Sequence, residues 1–250
     1  MSDIHLAQNG QVIWNTDTKS HFDKAIEIIK KMKDIDAIIV SGDVSNDGTE
    51  WTYQYFDKKI ASLGIPTYCC PGNHDNIDVM FHRYSSNSYQ IKDDVLIKGW
   101  RFYFLNSVIP DDNDPQQNKA RGYLEDKVLV ALEKSLKSNI VPSVIVLHHP
   151  PQEPGGWLNR KLLDNREEFN KIISRYSHVR MVLYGHIHYN LQHEENGILY
   201  SSAPSIGYAF DKDLPKFQIA DKQEGFDLIE VRHNAIAIDK INISEWDANV

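Results

Sequence analysis

The residues of this chain that could do chemistry fall in five short clusters. Asp3 and His5 stand one residue apart in "SDIH", Asp43 follows "IIVSG", Asn73 and His74 close "CCPGNH", His148 and His149 are adjacent in "VLHHPP", and His186 and His188 alternate in "YGHIH". Carboxylates, an amide oxygen and imidazoles suit a divalent ion of intermediate hardness such as Mn, Fe or Zn. A calcium site would be all oxygen, and a structural zinc site usually includes thiolate. Asp3, His5, Asp43, Asn73, His148, His186 and His188 are too many for one ion but suffice for two that share a carboxylate. Two ions about 3.5 to 4 Å apart are the arrangement used for in-line displacement at phosphorus.

Taken singly, each motif has an ordinary structural use. Asp-x-His at a terminus is usually solvated, Gly-Asp after a strand is a common turn, "GNHD" is compatible with a helix cap, and His-His-Pro with a strand closed by proline. "GHIH" is the least ordinary, because the two-residue period of a strand end puts His186 and His188 on one side. Their order adds what the single motifs lack. Asp43, Asn73, His148 and His186 each follow an apolar, strand-like run: "AIIVSGD", "IPTYCCPGNHD", "SVIVLHHP" and "RMVLYGHIH". In α/β sheets functional groups collect beyond the carboxyl ends of strands, so these four ends are expected to meet Asp3 and His5 at one site.

Positioning them calls for a layered α/β arrangement. "HFDKAIEIIKKMK" spaces Phe22, Ile26, Ile29 and Met32 at helical intervals, and "EWTYQYFDKKIASLG" reads as a helix closed by Gly64. Further helices are expected near 124–137 and 164–175. Strand-like runs at "WRFYFLNSV", "GILYSSA", "FDLIEV" and "AIAIDKINI" make the sheet arrangement mixed. The 250 residues are expected to form a single domain, 1–250.

A net charge of −8 argues against a nucleic-acid backbone or an anionic membrane as partner, because either requires clustered Lys and Arg. No run approaches the roughly 18 apolar residues of a spanning helix, and the first residues lack the order of a signal peptide. The only cysteines, Cys69 and Cys70, are adjacent and cannot staple distant parts of a fold. A reducing, cytoplasmic location is expected.

In this order, "SDIH", "SGDVSNDG", "PGNHD", "LHHPP" and "YGHIH" resemble the five blocks of the calcineurin-like metallophosphoesterases, from Asp3 to about Ile206. The loop "PQEPGGWLNRKLLDN" and the later "NGILYSSAPSIGYAF" are similar to the bacterial class III cyclic-nucleotide phosphodiesterases. The resemblance implies a four-layer αββα sandwich of two mixed β-sheets flanked by helices, the metallo-dependent phosphatase fold. It implies one divalent ion (Fe, Mn or Zn) held by Asp3, His5, Asp43 and His188 and a second by Asp43, Asn73, His148 and His186, with Asp43 the bridge. A hydroxide between the ions would then be the nucleophile. His74 is implied as the general acid, and Asn73, His74 and His188 as contacts to the substrate. His149 stays open between substrate contact and support.

The activity implied is hydrolysis of 3',5'-cyclic AMP to 5'-AMP, with a broader small-molecule phosphodiesterase or phosphomonoesterase as the alternative. A nuclease is disfavoured, since no basic strip could track a phosphate backbone. Trp157, Tyr208 and Phe210 lie in segments expected to border the pocket, where their rings would stack a purine or serve packing or homodimer contacts.

Two features depart from the family pattern. The residue three after Asp43 is often an acid that orients the catalytic histidine, and here it is Asn46, which leaves Asp47 or Asp75 to serve. The hydrophobic strand that normally precedes Asp-x-His is missing. Either the chain continues upstream of Met1 or the sheet carries an unpaired gap, and in both cases weaker binding is expected for the ion assigned to Asp3 and His5. A non-enzymatic binding module with a degenerate site is the reading that these two departures would favour.

Overall fold

The computed structural model describes residues 1–83, 88–109, 120–232 and 235–246. Its strands are β1 (Ile38–Ser41), β2 (Thr67–Cys70), β3 (Tyr89–Gln90), β4 (Asp94–Ile97), β5 (Trp100–Phe104), β6 (Ser143–Val146), β7 (Val179–Tyr184), β8 (Leu191–Glu195), β9 (Ile198–Ser202), β10 (Ala209–Phe210), β11 (Ile219–Ala220), β12 (Gly225–Arg232) and β13 (Ala235–Asn242). Four α-helices join them among the described residues: α1 (Thr18–Lys31), α2 (Glu50–Ala61), α3 (Asp126–Ser138) and α4 (Arg166–Ile173). A six-stranded mixed sheet runs β4-β5-β6-β7-β9-β8. A second layer holds the parallel sheet β1-β2-β3 and the antiparallel hairpin β12-β13.

The period of two along a strand builds the layers. Val144 and Val146 of β6 and Met181 and Leu183 of β7 turn inward, toward Tyr68 and Cys70 of β2, Ile39 of β1 and Ile229 of β12, and this apolar filling joins the two sheets. The alternate residues Ile145, Val182 and Tyr184 face outward and are covered by Leu129, Leu132 and Leu136 of α3 and Phe169 and Ile173 of α4. On the other side, Ile38, Val40 and Cys69 pack under Phe22, Ile26 and Ile29 of α1 and Tyr53 and Phe56 of α2. Strands buried on both faces read as continuous apolar runs, which is why "AIIV" and "SVIV" carry no polar alternation.

Helix α1 starts where the Asp17 carboxylate accepts the Ser20 N–H at 2.9 Å, and it ends on Lys30 and Lys31. Both ends match what a helix terminus requires.

The described chain has no named strand ahead of β1. Met1 and Ser2 nonetheless lie in strand-like pairing. The Ser41 N–H donates to the Met1 carbonyl at 3.1 Å, and Ser2 forms a parallel bridge with Ser205. The pairing continues through Asp3, His5 and Leu6, whose N–H groups donate to the carbonyls of Gly42, Asp43 and Val44 at 3.0 to 3.1 Å. The expected unpaired gap therefore does not reach Asp3 or His5.

The turns that follow β1 and β2 are tied together by Asp75. Its buried carboxylate accepts the N–H groups of Ser45 (2.9 Å), Val44 (3.3 Å) and Gly72 (2.9 Å) and the Tyr53 hydroxyl (3.1 Å). Burial and the nearby charge of Asp43 push this carboxyl up to about 6. Removing it would strand three buried N–H donors, each costing about 1 to 3 kcal/mol. Urea denaturation of Asp75→Ala is expected to lose about 3 kcal/mol or more of stability.

Candidate metal centre and cleft

Asp43, Asn73, His74, His148, His149, His186 and His188 lie beyond the carboxyl ends of parallel strands, and Asp3 and His5 join them by pairing alongside the segment that follows β1. β1 ends at Ser41 before Asp43, β2 at Cys70 before Asn73, β6 at Val146 before His148, and β7 at Tyr184 before His186 and His188. The last pair corrects one expectation. His186 and His188 do not alternate along a strand, because β7 has already ended. Both adopt left-handed backbone in the turn beyond it, with φ of 71° and 56°.

Asp3, His5 and Asp43 share that conformation, with φ of 50°, 49° and 53°. Non-glycine residues there cost about 1 kcal/mol or more each and persist only where surroundings over-determine them. The constraint is the crowding around the carboxylates. A Cβ on Gly72 would collide with the Asp43 carboxylate, and one on Gly185 with Ser2 Oγ and Asp3 Oδ2. The glycines of "PGNHD" and "YGHIH" are the room these carboxylates need.

Four imidazoles then converge. His188 Nδ1 donates to the Tyr208 carbonyl, His148 Nδ1 to the Ser41 carbonyl and His186 Nε2 to the Ala120 carbonyl, each at 2.8 Å. His5 Nδ1 donates to Asn46 Oδ1 at 3.2 Å. Each neutral ring has thereby used its only N–H on an outward acceptor and turns a lone pair inward. Those inner nitrogens face one another: His5 Nε2 is 3.2 Å from His188 Nε2, and His148 Nε2 is 3.1 Å from His186 Nδ1.

The remaining inward atoms are also acceptors. Asp3 Oδ1 lies 3.2 Å from His188 Nε2, and Asn73 Oδ1 lies 3.0 Å from His148 Nε2. Asp43 Oδ2 reaches both groups, 3.5 Å from His5 Nε2 and 3.3 Å from His148 Nε2. Acceptors at these distances repel unless a cation lies among them, and histidines held by outward hydrogen bonds are how metal sites are supported. The ligand atoms of Asp3, His5, Asp43 and His188 lie within 4.8 Å of one another, as do those of Asp43, His148 and His186. The donor set fits two divalent ions sharing Asp43.

The electrostatics follow from the same crowding. Burial works to raise the Asp43 carboxyl, and the charges of His148 and His74 overcome it, holding it well below the ordinary range. Burial also opposes charge on His148, but Asp43 and Asp3 push it up to about 9. Burial drives His5 down to about 3, and burial with His149 and His148 nearby drives His186 well down. One proton on His148 thus partly relieves one half of the cluster and leaves the other half unrelieved.

His74 is exposed. Its Nδ1 meets the Asn46 backbone carbonyl at 3.2 Å, so neither Asp47 nor Asp75 orients it. Asp47 instead caps the Gln8 N–H at 2.8 Å. His149 is buried and bonded through Nδ1 to Ser107 Oγ at 2.8 Å, with its ring 4.8 Å from that of His186.

A cleft of about 740 Å³ opens over the cluster, lined by Asp43, Asn46, Asn73, His74, His186 and His188 together with Lys161, Tyr208, Phe210 and Phe217, and with Val12 to Trp14 at its mouth. Tyr208 and Phe210 border it as expected, but both are buried. Phe210 stacks on the His188 ring at 4.2 Å and 8°, and Tyr208 lies 5.0 Å from the His5 ring. They brace histidines and offer no open face. Trp157 packs against Phe210 behind the wall.

Sequence reasoning missed Lys161, Trp14 and Phe217. The Lys161 ammonium sits 5.6 Å from the Trp157 ring, and burial lowers its pKa. The only signal for it was a basic residue in the loop after "HHPP".

The sequence profile of the calcineurin-like phosphoesterases matches residues 1–190. The chain belongs to that family. As a calcineurin-like phosphoesterase it is similar to a 3',5'-cyclic-nucleotide phosphodiesterase of Nostoc sp., with 31% identity over 92% of this chain and 86% of the relative. A 3',5'-cyclic adenosine monophosphate phosphodiesterase of Pseudomonas aeruginosa is 30% identical over 90% and 82% of the two chains. Among solved structures, a dimetal phosphatase from Danio rerio superimposes with a TM-score of 0.73 at 11% identity, covering 97% of this chain and 95% of that one, which shows the shared fold.

Metal-stripped protein is expected to gain stability from Mn²⁺, by about 2.7 kcal/mol at a hundredfold excess over Kd. Thermal unfolding should show a Tm rise of about 5 to 10 °C, and Asp43→Asn should remove most of it. Uptake must displace the His148 proton, so the gain should shrink as pH falls below about 9.

Proposed function

We propose that this calcineurin-like phosphoesterase is a phosphodiesterase that hydrolyses 3',5'-cyclic AMP to 5'-AMP with two divalent ions. Asp3, His5, Asp43 and His188 would hold one ion, and Asp43, Asn73, His148 and His186 the other. The observation that carries this reading is the buried convergence of inward-facing ring nitrogens on Asp43 from two sides. The names of the Nostoc and Pseudomonas relatives support the cyclic-nucleotide substrate. When bound, the ions supply Lewis acidity at the phosphoryl oxygens and lower the pKa of a coordinated water.

The chain's own residues have separate tasks. Water adds to phosphorus, the P–O3' bond breaks, and O3' leaves needing a proton. His74 lines the cleft, and its Nδ1 is held by the Asn46 carbonyl, which leaves Nε2 of the protonated ring to give that proton to O3'. Asn73 and His188 line the same cleft and would touch the phosphate. Lys161, a cation there, offsets the single negative charge of the diester. His149, tied to Ser107, supports His186 from behind and is assigned no contact with substrate.

With Mn²⁺-loaded protein, His74→Ala is expected to lower kcat on cyclic AMP by about 100-fold to 10,000-fold while two ions per chain stay bound. Loss of metal together with activity would remove His74 from the proton-donor role. Lys161→Met should act mainly on KM, raising it by about tenfold, the direction expected when ground-state charge pairing is lost.

A further inference from the structure

Seven large apolar side chains are notably exposed among the described residues, and three of them, Val12 (59%), Trp14 (64%) and Phe217 (39%), gather at the mouth of the one cleft that holds the metal-type donors. Trp14 and Phe217 come from distant segments of the chain. Their rings meet at 5.1 Å between centroids and 57° between planes. Chance scatter of single exposed residues needs no explanation, but two rings in contact over a polar site do.

The turn that carries Trp14 is costly in a way that points to use. Ile13 and Thr16 exchange both backbone hydrogen bonds, at 3.0 and 2.8 Å, which makes Trp14 and Asn15 the central pair of a two-residue hairpin. Both have positive φ, 50° and 63°. Asn and Gly are the residues such a turn favours, and a bulky indole there is an outlier. The indole also lies near the Tyr208 hydroxyl, whose pKa it works to lower.

From that rim an aromatic series runs inward. Phe217 meets Phe210 edge-on at 5.3 Å, and Phe210 stacks on His188. The cleft therefore has an aromatic end at Trp14 and Phe217 and a second end, with His74, His188 and Lys161, that suits an anion. Its volume of about 740 Å³ falls in the range that accommodates a nucleotide-sized ligand.

We infer that Trp14 and Phe217 form a base-stacking subsite, which makes the preferred ligand a phosphate ester carrying a planar nucleobase rather than a glycerol or other aliphatic diester. The assignment rests on the diesterase reading for its place in catalysis, but the binding it describes can be measured without turnover. Stacking of a base on an aromatic side chain is lost on substitution by alanine with a drop of about 10-fold to 100-fold in affinity.

The test is calorimetric titration of Mn²⁺-loaded protein with 5'-AMP and with ribose 5-phosphate, which share the phosphate and sugar and differ in the base. The full chain is expected to bind 5'-AMP about 10-fold or more tighter. Trp14→Ala and Phe217→Ala should each shrink that ratio, and the double variant should bring it to about 1, with ribose 5-phosphate affinity and metal content held. A ratio near 1 in the unaltered protein, or one that survives the double variant, would overturn the subsite. If the double variant instead changed only the molecular mass in light scattering, the rings would be a self-association surface and the inference would fail. Base preference lost in the variants of a protein that does not hydrolyse cyclic AMP would support the subsite and sink the diesterase reading alone.

Discussion

Mutual repulsion of buried lone pairs is the constraint on which the rest of this structure turns. Four imidazole nitrogens, two carboxylates and an amide oxygen are held within contact distance, in an interior that makes uncompensated acceptors expensive. Each ring is prevented from turning away by a hydrogen bond on its outer side, three of them to backbone carbonyls. Those carbonyls are available because the strands and turns around them are fixed by the apolar layers. The sandwich thus acts as a frame that keeps acceptors in opposition, and divalent cations are the species that turn this opposition into binding energy.

The local backbone records the same constraint. Asp3, His5, Asp43, His186 and His188 all take left-handed φ values, and Gly72 and Gly185 have neighbours that leave no room for a side chain. Strain of this kind in several adjacent turns is sustained by the pairing of Met1 to Leu6 with the β1 edge and by Asp75, which ties the turns after β1 and β2. Asp75 lies next to the histidine assigned to proton transfer, yet its work is structural.

Much of this was legible in the sequence, for physical reasons. Apolar runs ending in Gly-Asp, Gly-Asn-His or His-His mark strands whose carboxyl ends carry function, and the structure brings those ends to one edge. The donor types narrowed the metal class before any distance was known. What could not be read is what depends on contact across distant segments. Alternation in "GHIH" suggested a strand, but β7 ends at Tyr184 and the two histidines reach their places by left-handed turns. Asp47 and Asp75 looked able to orient His74 because they are acids nearby in sequence; a backbone carbonyl at Asn46 does it instead. For Tyr208 and Phe210 the sequence left stacking and packing open, and both are buried, whereas the exposed rings belong to Trp14 and Phe217, which lie about two hundred residues apart and meet only in the fold.

The cleft consequently divides into a floor of metal-type donors, the exposed His74 and the Lys161 cation beside it, and an aromatic rim. The claim beneath all three is that two ions share Asp43. Crystals grown with Mn²⁺ and measured at the manganese absorption edge test it directly. The account predicts two anomalous peaks about 3.5 to 4 Å apart, one within bonding distance of Asp3, His5 and His188, the other of Asn73, His148 and His186, and both bonded to Asp43. A single peak, or two peaks that Asp43 does not bridge, would contradict it.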